Sequence, residues 1–331
     1  MKSAFIHQPG QLEILDLPEP APAPGELVVQ VMASGICGTD IHIFRGEYLG
    51  GYPVIPGHEF AGLVTRVGAA VKRYKTGDRV AVEPNISCDN CYNCLNNRQN
   101  FCLNWQGVGV TRPGGMAQLV AVPEKAAFDI GSLAYEQGAF VEPLSCVLHG
   151  LERTDIRVAD RVAVLGAGPI GCLILQVARL QASSEITVVE KNKSRLELAA
   201  ACGADLGLGS LDELRRDYYD VVIDATGVIA VLERSLEFVR YGGKLLWFGV
   251  PPSGKKMSLE PFTVFRKGLT VLSSYTSVRN SYQALDLLKS GRINTAALVS
   301  HQLPLEQLQA GIEMIEQGRE NVRKVLIRPN G

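Results

Sequence analysis

Cys88, Cys91, Cys94 and Cys102 stand in the pattern C-x2-C-x2-C-x7-C, in and directly after a polar, loop-like stretch from Ser87 to Phe101. Four thiolates at such a spacing close a tetrahedral zinc shell. A closed shell leaves no open position, so it braces a loop and does no chemistry. An iron–sulfur cluster draws on the same ligands and competes with this assignment, as does a set of thiols that merely pack. A second group differs in kind. Cys37, in Gly35-Ile36-Cys37-Gly38-Thr39-Asp40-Ile41-His42, and the pair in Gly57-His58-Glu59 offer a thiol, an imidazole and a carboxylate. Those are ligand types of a catalytic zinc, which keeps a position free for water or substrate. Alone, each reads as easily as packing: a single Cys is commonly a small buried hydrophobe, and a lone His a satisfied core residue.

A third group binds rather than reacts. Gly166-Ala167-Gly168-Pro169-Ile170-Gly171 follows the strand-like Arg161 to Leu165 and opens a helix-like run. In that setting Gly166 permits the tight turn, Gly168 lets backbone approach a pyrophosphate, and Gly171 lets helix pack on strand. Pro169 and Ile170 begin the helix whose free amides would meet the phosphates. The next strand closes on Glu190, placed to accept hydrogen bonds from the adenosine ribose. Its charge repels a 2′-phosphate and so favours NAD over NADP. Lys191, Lys193 and Arg195 follow at once. They read as the solvated start of a helix, with NADP left open because Arg195 also has the chemistry to meet a phosphate.

These groups need a scaffold, and two styles of sequence supply it. Up to about Gly150 the chain is rich in Val, Gly and Pro with short β-like runs, such as Leu27 to Met32 and Gly62 to Val67, and helical periodicity is scarce. From Asp160 to about Tyr275, strands alternate with helices, which predicts βαβ units and a parallel sheet. The expected strands are Arg161 to Leu165, Glu185 to Val189, Asp220 to Asp224 and Lys244 to Phe248. The expected helices are Pro169 to Leu180, Ser194 to Cys202 and Ala230 to Val239. Two further helical runs, Tyr282 to Lys289 and Leu305 to Gln317, precede a last strand, Lys324 to Arg328.

Length and composition bound the answer. With 331 residues the prior is about two domains. A formal net charge of -1 argues against nucleic acid and an anionic membrane surface, leaving a small molecule as the partner. The N-terminus lacks a signal-peptide core and no apolar stretch is long enough to span a bilayer, so the expected location is cytoplasmic. In that compartment clustered cysteines point to metal rather than disulfides, while Cys146, Cys172 and Cys202 read as inert packing thiols.

Combined with Ala81-Val82-Glu83-Pro84, the run Val141-Glu142-Pro143-Leu144-Ser145-Cys146-Val147-Leu148-His149-Gly150, Asp224-Ala225-Thr226-Gly227 and Leu298-Val299-Ser300-His301, these motifs resemble the zinc-dependent medium-chain dehydrogenases, in particular their polyol (sorbitol) dehydrogenase branch. The resemblance covers nearly the whole chain. It implies a mainly β, GroES-like catalytic domain over 1–150 with its structural zinc lobe at 87–103. It further implies a doubly wound parallel-sheet α/β (Rossmann) domain for NAD over 151–285, and a return to the catalytic domain over 286–331. Cys37, His58, Glu59 and Glu142 become ligands of a catalytic zinc, with one glutamate bound directly and the other exchanging, in an order left open. Thr39 becomes the hydroxyl beside the reacting oxygen, His42 the outer base of a proton relay or a ribose contact, and Asp40 the acceptor of the free ring proton of His58. Arg323 is placed to reach the cofactor pyrophosphate. The implied reaction is hydride exchange between a polyol and its ketone, with two zinc ions per chain, in a homotetramer or dimer.

Some segments depart from the polyol pattern. Tyr275-Thr276-Ser277 stands where Phe-Arg-Tyr is common, leaving Arg279 as a displaced cation or a plain surface residue. Phe44-Arg45-Gly46-Glu47-Tyr48 resembles polyol-phosphate dehydrogenases, so Arg45 is a candidate for a substrate phosphate. Tyr48 and Trp105 are candidates to line the pocket or to pack. L-threonine 3-dehydrogenases share Gly-Ile-Cys-Gly-Thr-Asp and are an alternative. A non-catalytic nicotinamide-binding protein is a remote one, since such proteins typically lose the metal ligands that are all present here.

Overall fold

A computed structural model describes residues 1–47, 51–318 and 322–331. The chain divides into two compact units, one of residues 1–145 with 278–331 and one of residues 146–277.

The first unit opens with an antiparallel ribbon, β1 (Lys2–Gln8) with β2 (Gln11–Asp16). Its main sheet is built around β3 (Glu26–Gly35), in which seven of ten residues are buried. Beside β3 runs β4 (Glu59–Val67), then β5 (Arg79–Val82) and β9 (Ala127–Asp129), while β8 (Leu119–Pro123) also pairs with β3. On the other flank the chain's last strand, β17 (Lys324–Arg328), lies between β3 and β16 (Val299–Pro304). Leu27, Val29, Val31, Phe60, Val64, Val80 and Val122 fill the interior with side chains from alternate positions. The two-residue strands β6 (Asn85–Ile86) and β7 (Gln106–Gly107) pair and frame the four-cysteine lobe, which carries the one-turn helix α2 (Tyr92–Leu95). Three helices expected from no periodicity also occur: α1 (Gly38–Arg45), α3 (Tyr135–Gly138) and α4 (Val141–Thr154). Pro143 in α4 looks like a breaker, yet it sits in the first turn, where a missing N–H costs nothing. The two late helices are α9 (Ser281–Lys289) and α10 (Leu308–Glu316).

The second unit is a six-stranded, all-parallel sheet. Its order is β12 (Leu206–Leu208), β11 (Glu185–Val189), β10 (Arg161–Leu165), β13 (Tyr219–Asp224), β14 (Val239–Trp247), β15 (Thr270–Ser273). Arg161-Val162-Ala163-Val164-Leu165 is nearly continuous in apolar residues because a parallel strand is covered on both faces. The covering helices are α5 (Pro169–Leu180), α6 (Lys193–Ala201), α7 (Ile229–Ser235) and α8 (Pro261–Lys267). The strand order reverses between β10 and β13, and in such sheets ligands bind at the carboxyl ends beside that reversal. One expected helix is too long: α7 stops at Ser235, because Phe238 and Val239 enter the core and Val239 pairs with Tyr219.

Candidate metal centre and cofactor site

Strand register builds the first site. In the β3–β4 ladder Gly35 lies opposite Glu59, so Cys37, just past the end of β3, and His58, just before β4, emerge at the same end of neighbouring antiparallel strands. The thiol of Cys37, a ring nitrogen of His58 and a carboxylate oxygen of Glu59 all lie within 4.8 Å of one another. Zinc takes sulfur at about 2.3 Å and imidazole nitrogen at about 2.0–2.1 Å, so this donor set fits a single ion. Glu142, buried in the first turn of α4, is not among the three converging residues.

Asp40 ties the cluster together. One carboxylate oxygen accepts from the backbone N–H of Cys37 at 2.8 Å, the other from Gly57 at 3.0 Å, and the latter also stands 3.4 Å from Nδ1 of His58. The two ligand-bearing loops are thus held by one buried side chain. Burial alone would raise the pKa of Asp40, but His58 and the two amides hold it below the usual range. Burial would likewise lower the pKa of His58, yet Asp40 and Cys37 raise it well above its ordinary value. The potential at that imidazole favours a cation, as a metal ligand set requires.

Lys324 was not anticipated. On the other side of β3, Leu326 of β17 pairs with Gly35, and the Lys324 ammonium reaches the Glu59 carboxylate with both side chains buried. Burial opposes its charge, but Glu59, Cys37 and Asp40 keep it protonated. Gly35 makes the room: a Cβ there would collide with the Glu59 carboxylate and the end of the Lys324 side chain. The signal in the sequence was a cation leading the wholly apolar run Val325-Leu326-Ile327.

Thr39 and His42 lie three residues apart on α1, both partly exposed, whereas Asp40, Ile41 and Ile43 are buried. Spacing of three puts them on one helical face. The remaining pocket candidates scatter. Arg45 is engaged by Glu316 of α10 at 2.7 Å. Trp105 donates to Asn85 at 3.0 Å and packs with Ile6, Ile43, Val54 and Val110. Arg279 acts electrostatically on Asp89 in the cysteine lobe. Arg323 donates to the Ala297 carbonyl at 2.7 Å, while its amide meets Ser300. Tyr48 lies outside the described residues.

In the lobe, sulfur separations are 3.5 Å (Cys91 to Cys94), 3.9 Å (Cys91 to Cys102) and 4.0 Å (Cys88 to Cys94). A disulfide would need about 2.05 Å, whereas the edge of a tetrahedron with metal–sulfur bonds of about 2.3 Å is roughly 3.8 Å. The residues therefore fit zinc. Backbone amides favour the thiolates: a hydrogen bond from Asn90 is the chief reason the Cys88 thiol falls to about 6. Cys172 and Cys202 are buried, and their mutual hydrogen bond together with burial pushes the Cys172 thiol up, which suits packing rather than reaction.

In the second unit Gly166 takes a left-handed φ of 101° where β10 turns into α5. A Cβ on Gly171 would strike the Gly166 carbonyl, so glycine is required for that packing. Gly168 is the residue before α5, Pro169 and Ile170 are its first two positions, and a Cβ on Gly168 would meet open space. That leaves bare amides at a helix N-terminus, a ready seat for phosphate. Glu190 accepts from the amides of Ala167 and Asn192, both at 3.0 Å, so its carboxylate is fixed beside the glycine turn. Arg195 reaches within 4.0 Å of it.

Two family descriptions match the chain: Alcohol dehydrogenase GroES-like domain over residues 23–132, and Zinc-binding dehydrogenase over residues 169–290. The chain is 37% identical to D-altritol 5-dehydrogenase of Agrobacterium fabrum over 305 residues, covering 90% of this chain and 89% of that one. It is 32% identical to sorbitol dehydrogenase of Bacillus subtilis, over 100% and 98% of the two chains. A Sinorhizobium meliloti protein described as a zinc-binding dehydrogenase, solved bound to NADP, superposes with a TM-score of 0.93 at 34% identity, covering 99% of each chain.

Proposed function

Since the chain belongs to the zinc-dependent medium-chain dehydrogenases, in their polyol branch, we propose that it exchanges hydride between a secondary hydroxyl of an unphosphorylated polyol and NAD, giving the ketone. The observation that carries this reading is the convergence of Cys37, His58 and Glu59 at adjoining strand ends. Bound there, zinc would ease ionisation of the substrate hydroxyl, and the nicotinamide would take the hydride.

The chain's own residues do the rest. We read Cys37, His58 and Glu59 as the resident ligands, with Lys324 balancing the glutamate, and Glu142 as the carboxylate that exchanges. Thr39 hands the hydroxyl proton on and His42 receives it. Gly166, Gly168, Pro169, Ile170 and Gly171 seat the pyrophosphate, and Glu190 takes the ribose hydroxyls. The cysteine lobe holds a second, structural zinc. Arg45, already held by Glu316, argues against a phosphorylated substrate. We place the enzyme in the cytoplasm, in keeping with eight cysteines that form no disulfide among the described residues, as a homodimer or tetramer.

NADP is a second reading, favoured by the NADP-bound Sinorhizobium relative and by Arg195 beside Glu190. A panel of polyols, polyol phosphates and L-threonine, each with NAD and NADP and followed by nicotinamide absorbance, decides. The expected result is turnover of a free polyol with NAD. Turnover confined to threonine, or none on a zinc-replete protein, would overturn the proposal.

A further inference from the structure

His42 has a partner that the sequence reading did not assign. At the end of α1 Gly46 adopts a left-handed φ of 77° and its N–H returns to the Ile43 carbonyl at 3.0 Å. The next amide, Glu47, donates to the His42 carbonyl at 2.8 Å. This reversal brings the Glu47 side chain back over the same residue, where Oε2 lies 2.9 Å from Nδ1 of His42. The imidazole is 19% exposed and the carboxylate 40%. Among the described residues, other ionisable groups on and against this helix are engaged elsewhere. Asp40 holds the Cys37 and Gly57 amides, Arg45 holds Glu316, Tyr52 donates to the Ile43 carbonyl, and His7 of β1 pairs with Glu13.

An ionised carboxylate accepts hydrogen bonds and donates none, so Nδ1 facing it must carry a proton, and in neutral His42 the lone pair is then on Nε2. We infer that Glu47 is a positioning residue for proton exit, holding His42 in the tautomer whose Nε2 is the base and stabilising the imidazolium that forms there. This rests on the reading of His42 as the outer base. In the oxidative direction the substrate O–H proton passes to the Thr39 oxygen as that hydroxyl gives its own proton to Nε2. The imidazolium, flanked by Glu47, then releases the Nε2 proton to water. With the hydride going to the nicotinamide, the alcohol loses one proton and one hydride, which balances its conversion to the ketone.

The test uses the zinc-loaded, full-length enzyme. The chain has five histidines, so the His42 ring signal can be assigned by its loss in His42→Asn and followed by NMR against pH. Glu47→Gln keeps the shape and removes the charge, and Glu47→Asp keeps the charge. We expect the ring nitrogen shifts to show neutral His42 with its proton on Nδ1, and Glu47→Gln to let the Nε2–H form grow at its expense, because a side-chain amide offers a donor as well as an acceptor. With that change kcat should fall about tenfold at unchanged polyol KM, and Glu47→Asp should restore part of both. In a His42→Asn background Glu47→Gln should cost nothing further. An unmoved tautomer ratio, with a kcat that still falls in His42→Asn, overturns the role of Glu47 and leaves His42 as the base. A kcat that His42→Asn leaves unchanged overturns the relay itself, and the Glu47 role with it.

Discussion

Replacing Asp40 with Asn removes a charge, and it also turns one acceptor towards the wrong partner. Its two oxygens meet two backbone donors, so the new amide nitrogen must face either Cys37 or Gly57, donor against donor. Both ligand-bearing loops loosen together. Asp40→Asn should weaken zinc binding by about 10–100-fold, as loss of groups that orient ligands does, measured by competition with a chelator while circular dichroism stays unchanged. Lys324 presents the opposite case, a buried charge whose partner is also buried. Lys324→Met strands the Glu59 carboxylate and should cost roughly 3–5 kcal/mol of urea stability in zinc-free protein. Adding Glu59→Gln should recover most of that, and if it recovers nothing the pair was not the cause. Cys37, His58 and Glu59 stood out by residue type, but each alone read as easily as packing, and it was the resemblance that joined them into one candidate ligand set. Lys324 stayed hidden because its partner is at the other end of the chain, and only strand order brings the two together.

Among the elements, the cysteine lobe has its own stability. Ile86 on one side and Val108 on the other belong to the core of the first unit's main sheet, while Tyr92, Leu95 and Leu103 between them are largely exposed. Cys94 and Cys102 are the only apolar residues buried between 87 and 105, so this loop has no core of its own beyond the thiols. Cys94→Ser should therefore speed proteolytic cleavage between Ile86 and Val108 about tenfold or more and leave the rest of the first unit protected, since local opening draws on local contacts. Asp220 is a clamp of another kind. It accepts from the Arg161 amide at 2.9 Å, from the Arg161 guanidinium at 3.0 Å and from Arg240, joining β10, β13 and β14. Burial would raise its pKa, but the Arg161 amide and both guanidinium groups hold it down. A depressed carboxyl stabilises the fold above its unfolded pKa, and that contribution disappears as pH falls through the folded value. Asp220→Asn should accordingly cost about 1–3 kcal/mol near neutrality, and the gap from the parent protein should close as pH drops below the ordinary aspartate value of 3.8. The strands β10, β11 and β17 were readable to the residue, since their apolar runs begin and end sharply. α7 was overrun because Leu236, Phe238 and Val239 continue its apolar beat into the next strand.

For the molecule as a whole, cofactor choice is the sharpest prediction. Both oxygens of Glu190 are pinned by backbone amides, so its charge cannot swing aside for a 2′-phosphate. Glu190→Ser should shift the kcat/KM ratio towards NADP by about 10–100-fold through relief of like-charge cost. An unchanged ratio would mean that another group sets the preference. Composition and periodicity exposed both architectures, a β-rich one and an alternating one, but the return of the chain's last strand to the first unit came from resemblance alone. No local pattern announces which distant strand a short apolar run will join. That topology also orders events in time. Residues 146–277 are contiguous and leave the ribosome early, so their sheet can close while translation continues. The first unit instead stays open beside β3 until residues 324–328 are made, so the ammonium that neutralises Glu59 arrives after every ligand it serves. A chain cut short before residue 324 would therefore display a finished second unit and a thiol, an imidazole and a carboxylate still lacking their counter-charge.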